Sequence, residues 1–95
     1  MYNIYVVFKC FPGKREAFVE KVKAEGILSA IRAEDGFRRY DYYFSEADKN
    51  KLLLIETWES YEHQQIHIAT PHMEKLRSFK GDYIETTTLG EFTVK

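Results

Sequence analysis

The chain has 95 residues and a mass of 11.3 kDa, the size of one domain, so we predict a single domain over residues 1–95. With 44% hydrophobic and 16% aromatic residues the chain is not disordered, and 14 basic against 15 acidic side chains leave no excess positive charge for nucleic acid. With one cysteine, no basic leader and no long apolar run, we expect a cytoplasmic protein without an intrachain disulfide or a membrane span.

The first residues predict a buried strand. In the segment 2–11, β-branched and aromatic residues occupy both parities, with Ile4 and Val6 on one and Tyr5 and Val7 on the other. This pattern is typical of a strand that is buried on both faces in the middle of a sheet.

The next segment predicts a helix with a break. After a turn at Pro12 and Gly13, apolar residues recur at helical spacing until Gly26 interrupts the pattern. The pattern resumes on a shifted phase over residues 27–31, so we expect a bend or a second short helix that ends near Asp35-Gly36.

Residues 37–45 and 51–59 predict the two strands of a hairpin, joined by the charged residues 46–50. If Ser45 faces Lys51, the predicted pairs are Tyr42 with Leu54, Tyr40 with Glu56 and Arg38 with Trp58. Because these side chains share one face of the sheet, we expect that face to form either a pocket lined by polar groups or a dimer interface. Glu56 is expected to pair with Arg38 or to line a ligand site, and Trp58 to be a core residue or the wall of an aromatic-binding pocket.

Two helices and a strand complete the pattern. Ser60 is the expected cap of a helix through Ala69, and Thr70 caps a second helix that starts at Pro71 and stops at Gly81. The buried stripe of this second helix is predicted to be Met73, Leu76 and Phe79. The threonine-rich residues 83–94 favour a last strand.

The β-α-β-β-α-β order predicts an α+β fold of the ferredoxin-like type, with an antiparallel sheet covered by helices on one face. Because the strands carry apolar residues at both parities, the second face would expose a larger apolar patch than monomers tolerate. We therefore expect a homodimer in which two sheets pack face to face around a two-fold axis.

Three histidines within ten residues are the main candidates for chemistry. His67 is the strongest candidate, because a neutral imidazole beside Ile66 and Ile68 can exchange protons near neutral pH. His63 and His72 are interpreted either as functional residues or, with equal weight, as surface or core-edge histidines without a function. We expect no metal site, because no third carboxylate ligand is suitably spaced. The buried environment of Cys10 predicts an inert side chain.

The segment 36–72 resembles the antibiotic biosynthesis monooxygenase (ABM) family. The residues that carry the resemblance are Gly36-Phe37-Arg38-Arg39-Tyr40, Glu56-Thr57-Trp58-Glu59-Ser60, His67 and Thr70-Pro71-His72. They follow a pattern of Gly, Tyr, a hairpin, E-x-W-x-S, His and S/T-P-H, and the order of elements extends the match over the whole chain. The resemblance implies ferredoxin-like protomers that form dimeric α+β barrels, with a pocket between sheet and helices.

The resemblance also implies several activities. The family includes cofactor-independent monooxygenases of quinols and phenols, haem-degrading enzymes, and an isomerase of phosphorylated autoinducer-2. The haem-degrading members have an Asn towards the end of the first strand, whereas Asn3 lies near its start. For quinol chemistry the resemblance implies a cavity shaped by Trp58, Leu54, Tyr42 and Phe79, with His67 as base, Tyr40 as donor and no cofactor.

The leading hypothesis is therefore a monooxygenase of a quinol or related phenolic small molecule, with Glu56, His63, His72 and Arg38 as further substrate-binding residues. The alternative is isomerisation of a small sugar-like phosphate, in which His67 and His72 move protons and Arg38 or Arg39 holds the phosphate. A third hypothesis is a ligand-binding module without catalysis.

Overall fold

The computed structural model describes all residues 1–95 and has eight elements of secondary structure. They are β1 (Tyr2–Cys10), α1 (Arg15–Ala24), α2 (Ile27–Arg32), β2 (Phe37–Phe44), β3 (Lys51–Trp58), α3 (Tyr61–Ile68), α4 (Pro71–Lys80) and β4 (Ile84–Phe92). The strands form one antiparallel sheet in the order β2-β3-β1-β4, which is the ferredoxin-like arrangement. The predicted α+β fold is confirmed, with each helical region divided into two helices.

The break between α1 and α2 lies at Gly26, as predicted. Its φ of 73° is a left-handed conformation, which glycine adopts without the steric cost of a Cβ. The turn allows both helices to bury an apolar side against the same sheet, Phe18 and Val22 from α1 and Ile27 and Ile31 from α2.

The two caps predicted around α3 and α4 have different outcomes. The Ser60 hydroxyl accepts a hydrogen bond from the His63 backbone N–H at 3.2 Å, which confirms the cap of α3. Thr70 occupies the N-cap position of α4 with Pro71 at the first helical position, as predicted, but its side chain makes no capping hydrogen bond. Its hydroxyl donates instead to the His67 carbonyl at 2.8 Å, and Thr70 therefore stabilises the end of α3.

The hairpin register is confirmed except at its open end. The pairs Tyr42 with Leu54 and Tyr40 with Glu56 form as predicted. Between Phe37 and Arg39 the register shifts, so Phe37 and not Arg38 lies opposite Trp58. Arg38 binds Glu59 at 2.6 Å, and both its predicted position opposite Trp58 and its predicted pairing with Glu56 are wrong.

The helices cover the sheet face that carries the candidate site. Seventeen buried apolar residues form one cluster between this face and the helices, and Tyr40, Leu54 and Trp58 belong to it. Glu56, which shares their parity, is buried on the same face. None of the four helices combines the length and apolar character that crossing a membrane requires.

The other face of the sheet, here called the open sheet face, has no helix over it. It carries Tyr5 and Val7 from β1, Leu53 and Ile55 from β3, and Tyr43 from β2. Tyr5 and Tyr43 are 37% and 41% exposed, so within one chain β1 is not buried on both faces as predicted. The homodimer that would cover this face stays a prediction.

Candidate active site

A cavity of about 190 Å³ lies between the sheet and the helices. Its walls are mainly apolar, and the lining residues with polar groups are Tyr40, Tyr42, Glu56, Gln64, Arg77, Lys80 and Thr87. A cavity of about 150 Å³ is large enough to bind benzene. The cavity therefore has room for one aromatic ring with substituents.

Four of the predicted site residues line this cavity: Tyr40, Tyr42, Leu54 and Glu56. Trp58 does not line it and has no exposed surface, because it packs between Phe37 and His67. Phe79 packs against Phe18 and Tyr83 instead, with ring centroids 6.3 and 6.1 Å apart. Trp58 is therefore a core residue, one of its two predicted roles, and Phe79 packs against the core. Neither side chain forms a wall of the cavity, the role that the family resemblance implied for both.

Behind the cavity, two carboxyl groups and two histidines form a series that we call the acid–histidine chain: Glu56, His67, Glu34 and His72. The Glu56 Oε1 lies 3.8 Å from the His67 Nε2, and the His67 Nδ1 lies 2.7 Å from the Glu34 Oε2. The same Glu34 oxygen lies 2.7 Å from the His72 Nε2. Since the side chain of His72 is 21% exposed and those of the other members at most 10%, the series runs from the cavity towards solvent.

His67 is held in place by packing as well as by hydrogen bonding. Its ring lies 4.5 Å from that of Trp58, at an interplanar angle of 33°, and the residue is 1% exposed. Burial lowers the pKa of His67, and the adjacent Glu34 carboxylate opposes this effect only in part. The imidazole is therefore neutral near pH 7, with one ring nitrogen free to accept a proton.

Glu56 is a buried carboxyl group at the cavity wall, 5% exposed. Burial raises its pKa to about 7, which the hydrogen bond from the Trp58 Nε1–H, 3.1 Å long, partly opposes and the nearby Glu34 carboxylate reinforces. Near neutral pH both forms of Glu56 are populated. The side chain can therefore accept a proton from a bound molecule and release it again.

Two tyrosines present hydroxyl groups beside Glu56. Burial raises the pKa of Tyr40 and of Tyr42 well above the usual value for tyrosine, so both stay protonated and act as donors. The Tyr42 hydroxyl is buried and has no hydrogen-bond partner in the protein. A buried hydroxyl without a partner is destabilising, and a ligand in the cavity would satisfy it.

Glu34 is the one member of the acid–histidine chain that the sequence did not reveal. It also supplies the carboxylate that the prediction of no metal site assumed to be missing. It lies between α2 and β2, and its partners are 33 and 38 positions away, so no local spacing links it to them. One signal was present: Glu34 and Asp35 follow the end of a helix, where the helix dipole disfavours acidic residues.

The ligand atoms of Glu34, His67 and His72 lie within 4.8 Å of one another, so a third carboxylate ligand does exist. Two imidazoles and a carboxylate are ligands that zinc or iron accepts. In the structure both imidazoles are hydrogen-bonded to the carboxylate, which gives the buried charge two partners without an ion.

The remaining candidates lie away from the cavity. His63 contacts the Ser60 hydroxyl at 2.7 Å and lies 3.4 Å from the Asp35 carboxylate. Arg38 pairs with Glu59 and Arg39 with Asp41, on the exposed side of the hairpin. The predicted roles of His63 and Arg38 in lining a ligand site therefore have no structural basis, and neither does a phosphate held by either arginine.

Residues 1–78 match the family described as antibiotic biosynthesis monooxygenase. A relative in Bacillus subtilis, "Putative monooxygenase YcnE", is 27% identical over 74 residues, which cover 78% of this chain and 76% of the relative. Rv0793 from Mycobacterium tuberculosis has the same fold, with a TM-score of 0.83 at 25% identity over 99% of this chain and 94% of that one. PA3566 from Pseudomonas aeruginosa gives 0.85 at 19% identity, over 99% and 93%.

The matched region contains all four members of the acid–histidine chain and both tyrosines beside Glu56. With most of its length matched by the family and its fold shared with solved relatives, this chain belongs to the antibiotic biosynthesis monooxygenase family.

Proposed function

We propose that the protein is a monooxygenase that oxidises a small quinol or related phenol with molecular oxygen, without a metal or flavin. The observation that carries this proposal is Glu56, a buried carboxyl group of raised pKa that lines a cavity of aromatic size. A phenol that loses its proton becomes electron-rich enough to reduce oxygen. The protein must then supply a base, a dry cavity and donors for the resulting anion.

The reaction balances without an external reductant. A quinol and O₂ give a hydroxyquinone and water: one oxygen atom enters the ring, the other leaves as water, and the substrate supplies all four electrons. The ring loses two protons from its hydroxyl groups and one hydrogen from carbon, and the new hydroxyl keeps one. Proton transfer is therefore the task left to the side chains.

The geometry supports the following roles. Glu56 accepts the phenolic proton, and His67 lies 3.8 Å behind it as the next acceptor. Glu34 and His72 continue the path to the surface. The hydroxyl groups of Tyr40 and Tyr42 stay protonated and donate to the phenolate oxygen. His67, the base in our sequence-based hypothesis, thus acts through Glu56 because it does not line the cavity.

The test is oxygen uptake by the metal-free protein, prepared with a chelator, with a panel of single-ring quinols. With ¹⁸O₂, one labelled atom is expected in the product and the other in water. Glu56→Gln keeps the shape and the acceptor for Trp58 but cannot accept a proton, so we expect a rate at least about a hundredfold lower.

Glu59→Gln is the matched control, because Glu59 has the same chemistry but a half-exposed side chain paired with Arg38 outside the cavity. It should retain the wild-type rate. The proposal is wrong if no quinol gives enzyme-dependent oxygen uptake, or if Glu56→Gln is as active as Glu59→Gln. Turnover of a phosphorylated ketose in place of any quinol would favour the isomerase alternative.

A further inference from the structure

Two cations line the cavity without an acidic partner. Arg77 and Lys80 both belong to α4 and contribute to the cavity lining. Neither takes part in an ion pair, whereas Lys75 on the same helix lies 3.7 Å from the Glu25 carboxylate. The cavity therefore contains two basic side chains that form no salt bridge within the protein.

Lys80 is not an ordinary surface lysine. It is partly buried, and its Nζ lies 5.3 Å from the centroid of the Phe8 ring, which lines the cavity from β1. Burial lowers the pKa of Lys80, and the charge of Arg77 lowers it further. An ammonium group with lost hydration and a like charge beside it is a site where an anion is favoured.

One hydrogen bond orients Arg77, and the guanidinium group has further N–H donors. Its Nη1 donates to the Ile68 carbonyl at the end of α3, at 2.9 Å. A guanidinium group has five N–H donors in a fixed plane. The other donors remain available to a ligand, and a carboxylate or phosphate matches their geometry.

Lys80 and Glu56 lie at different ends of the cavity. Glu56 pairs with Ile4 across the sheet, while Lys80 lies over Phe8, four residues further along β1. At about 3.3 Å per residue, these backbone positions are roughly 13 Å apart. A ligand that reaches both ends therefore needs a short side chain between its ring and its charge.

We propose that Lys80, with Arg77 one turn before it on α4, binds an anionic substituent, a carboxylate or a phosphate, in the cavity on the side of Phe8. The inference rests on the proposed function for the aromatic part of the ligand. Because an anion can bind without turnover, binding measurements test the anion site separately from the proposed monooxygenase activity.

The experiment is calorimetric titration under anaerobic conditions with three probes. They are 2,5-dihydroxyphenylacetate, its neutral counterpart 2-(2,5-dihydroxyphenyl)ethanol, and the phosphate monoester of the side-chain hydroxyl of that alcohol. We expect at least one anion to bind about tenfold more tightly than the neutral alcohol, with a preference that weakens as salt is added. Tighter binding of the phosphate ester than of the carboxylate would indicate that the site prefers a phosphate, and the reverse order that it prefers a carboxylate.

Lys80→Met removes the charge but keeps an apolar stem of similar size, and it should abolish the preference while the neutral alcohol binds as before. Lys80→Arg should retain the preference. Lys75→Met makes the same change on the same helix, away from the cavity, and should leave all three affinities unaltered.

The inference is overturned if neither anion binds at millimolar concentration, if the neutral alcohol binds as tightly as both anions, or if Lys80→Met and Lys75→Met behave alike. If the preference for anions holds but no quinol consumes oxygen, the anion site stands and the proposed monooxygenase activity does not.

Discussion

Glu56 owes its chemistry to its position on β3. The strand places it on the face under the helices, among apolar side chains, where the charged form of a carboxyl group is disfavoured. The hydrogen bond from Trp58 fixes the orientation of its carboxyl group and limits the rise of the pKa. A glutamate on a protein surface is fully ionised at pH 7, whereas Glu56 in this environment can exchange protons.

This environment predicts a pH dependence of stability. The usual pKa of a glutamate is 4.5 and that of folded Glu56 about 7, so between these values the folded state binds more protons than the unfolded state. The free energy of unfolding of the wild type, relative to Glu56→Gln, should therefore fall as the pH rises through this window. At 1.36 kcal/mol per pKa unit, the total fall is about 3 kcal/mol.

Urea unfolding of both proteins at several pH values measures this difference. Glu34, His67 and His72 face the same site and are present in both proteins, so only the difference between the two curves reports on Glu56. A difference that does not change with pH would show that Glu56 has an ordinary pKa.

The outer end of the acid–histidine chain gives a second prediction. His72 is its most exposed member, and His72→Ala should lower the rate of quinol oxidation about tenfold in dilute buffer, because protons from Glu34 lose their route to solvent. Imidazole added to the buffer should restore most of the rate, which a loss of folding would not allow. His63→Ala, which removes a histidine outside the cavity, is the control and should need no rescue. A His72→Ala protein with the wild-type rate at low buffer concentration would contradict this route.

At the scale of elements, the loop before β2 is the most constrained connection. Gly36 has a φ of 78°, its carbonyl accepts from the Glu59 backbone N–H at 2.8 Å, and a Cβ at this position would overlap the His63 ring. Gly26 has a nearly identical φ of 73° but open space around it. Comparing substitutions at the two glycines therefore separates the energetic cost of a left-handed backbone from that of steric crowding.

We expect Gly26→Ala to cost about 1–2 kcal/mol of unfolding free energy, since only the left-handed conformation opposes it. Gly36→Ala should cost about 1–3 kcal/mol more, because His63 must also move. In a His63→Ala background this excess should disappear. Urea denaturation of the wild type, Gly26→Ala, Gly36→Ala, His63→Ala and the Gly36→Ala/His63→Ala double variant measures it. Equal costs for the two glycine substitutions in the wild-type background would rule out the close packing of Gly36 against His63.

Local patterns predicted most of the elements, because alternation, helical spacing and the glycine break act over a few neighbouring residues. The register shift beside Arg38 was not predictable in this way, because it depends on how Phe37 packs against Trp58 in the folded core. Glu34 was missed for the same reason. His67 could be singled out from its apolar neighbours, but the partner that orients it comes from a distant loop.

At the scale of the molecule, the open sheet face is the feature that most needs a partner. We propose that a second copy of the chain covers it, with the two sheets facing each other. Its apolar side chains are partly exposed and contiguous on the three strands β1, β2 and β3. A hydrophobic surface of this kind is more typical of an interface than of a solvated face.

Sedimentation of the wild type should therefore give twice the mass of the 11.3 kDa chain. Leu53→Lys places a charge on the open sheet face and should yield monomers, because an unpaired charge in an apolar interface is costly. Ile66→Lys makes an equivalent change on α3, where Ile66 is already 66% exposed, and should remain a dimer. A wild-type protein that sediments as a monomer at micromolar concentration would refute the dimer.

The two sides of the sheet contribute different kinds of residues to the cavity. Glu56 and the two tyrosines lie on β3 and β2, and Glu34, His67 and His72 lie on the adjacent loop, α3 and α4. Leu89, which is 64% exposed, and Thr87 border the cavity from the edge strand β4. The stretch matched by the family ends at residue 78, before Lys80 and β4. We expect a library restricted to positions 80, 87 and 89 to change which molecules bind in the cavity, while Glu56, His67 and the two tyrosines stay unaltered.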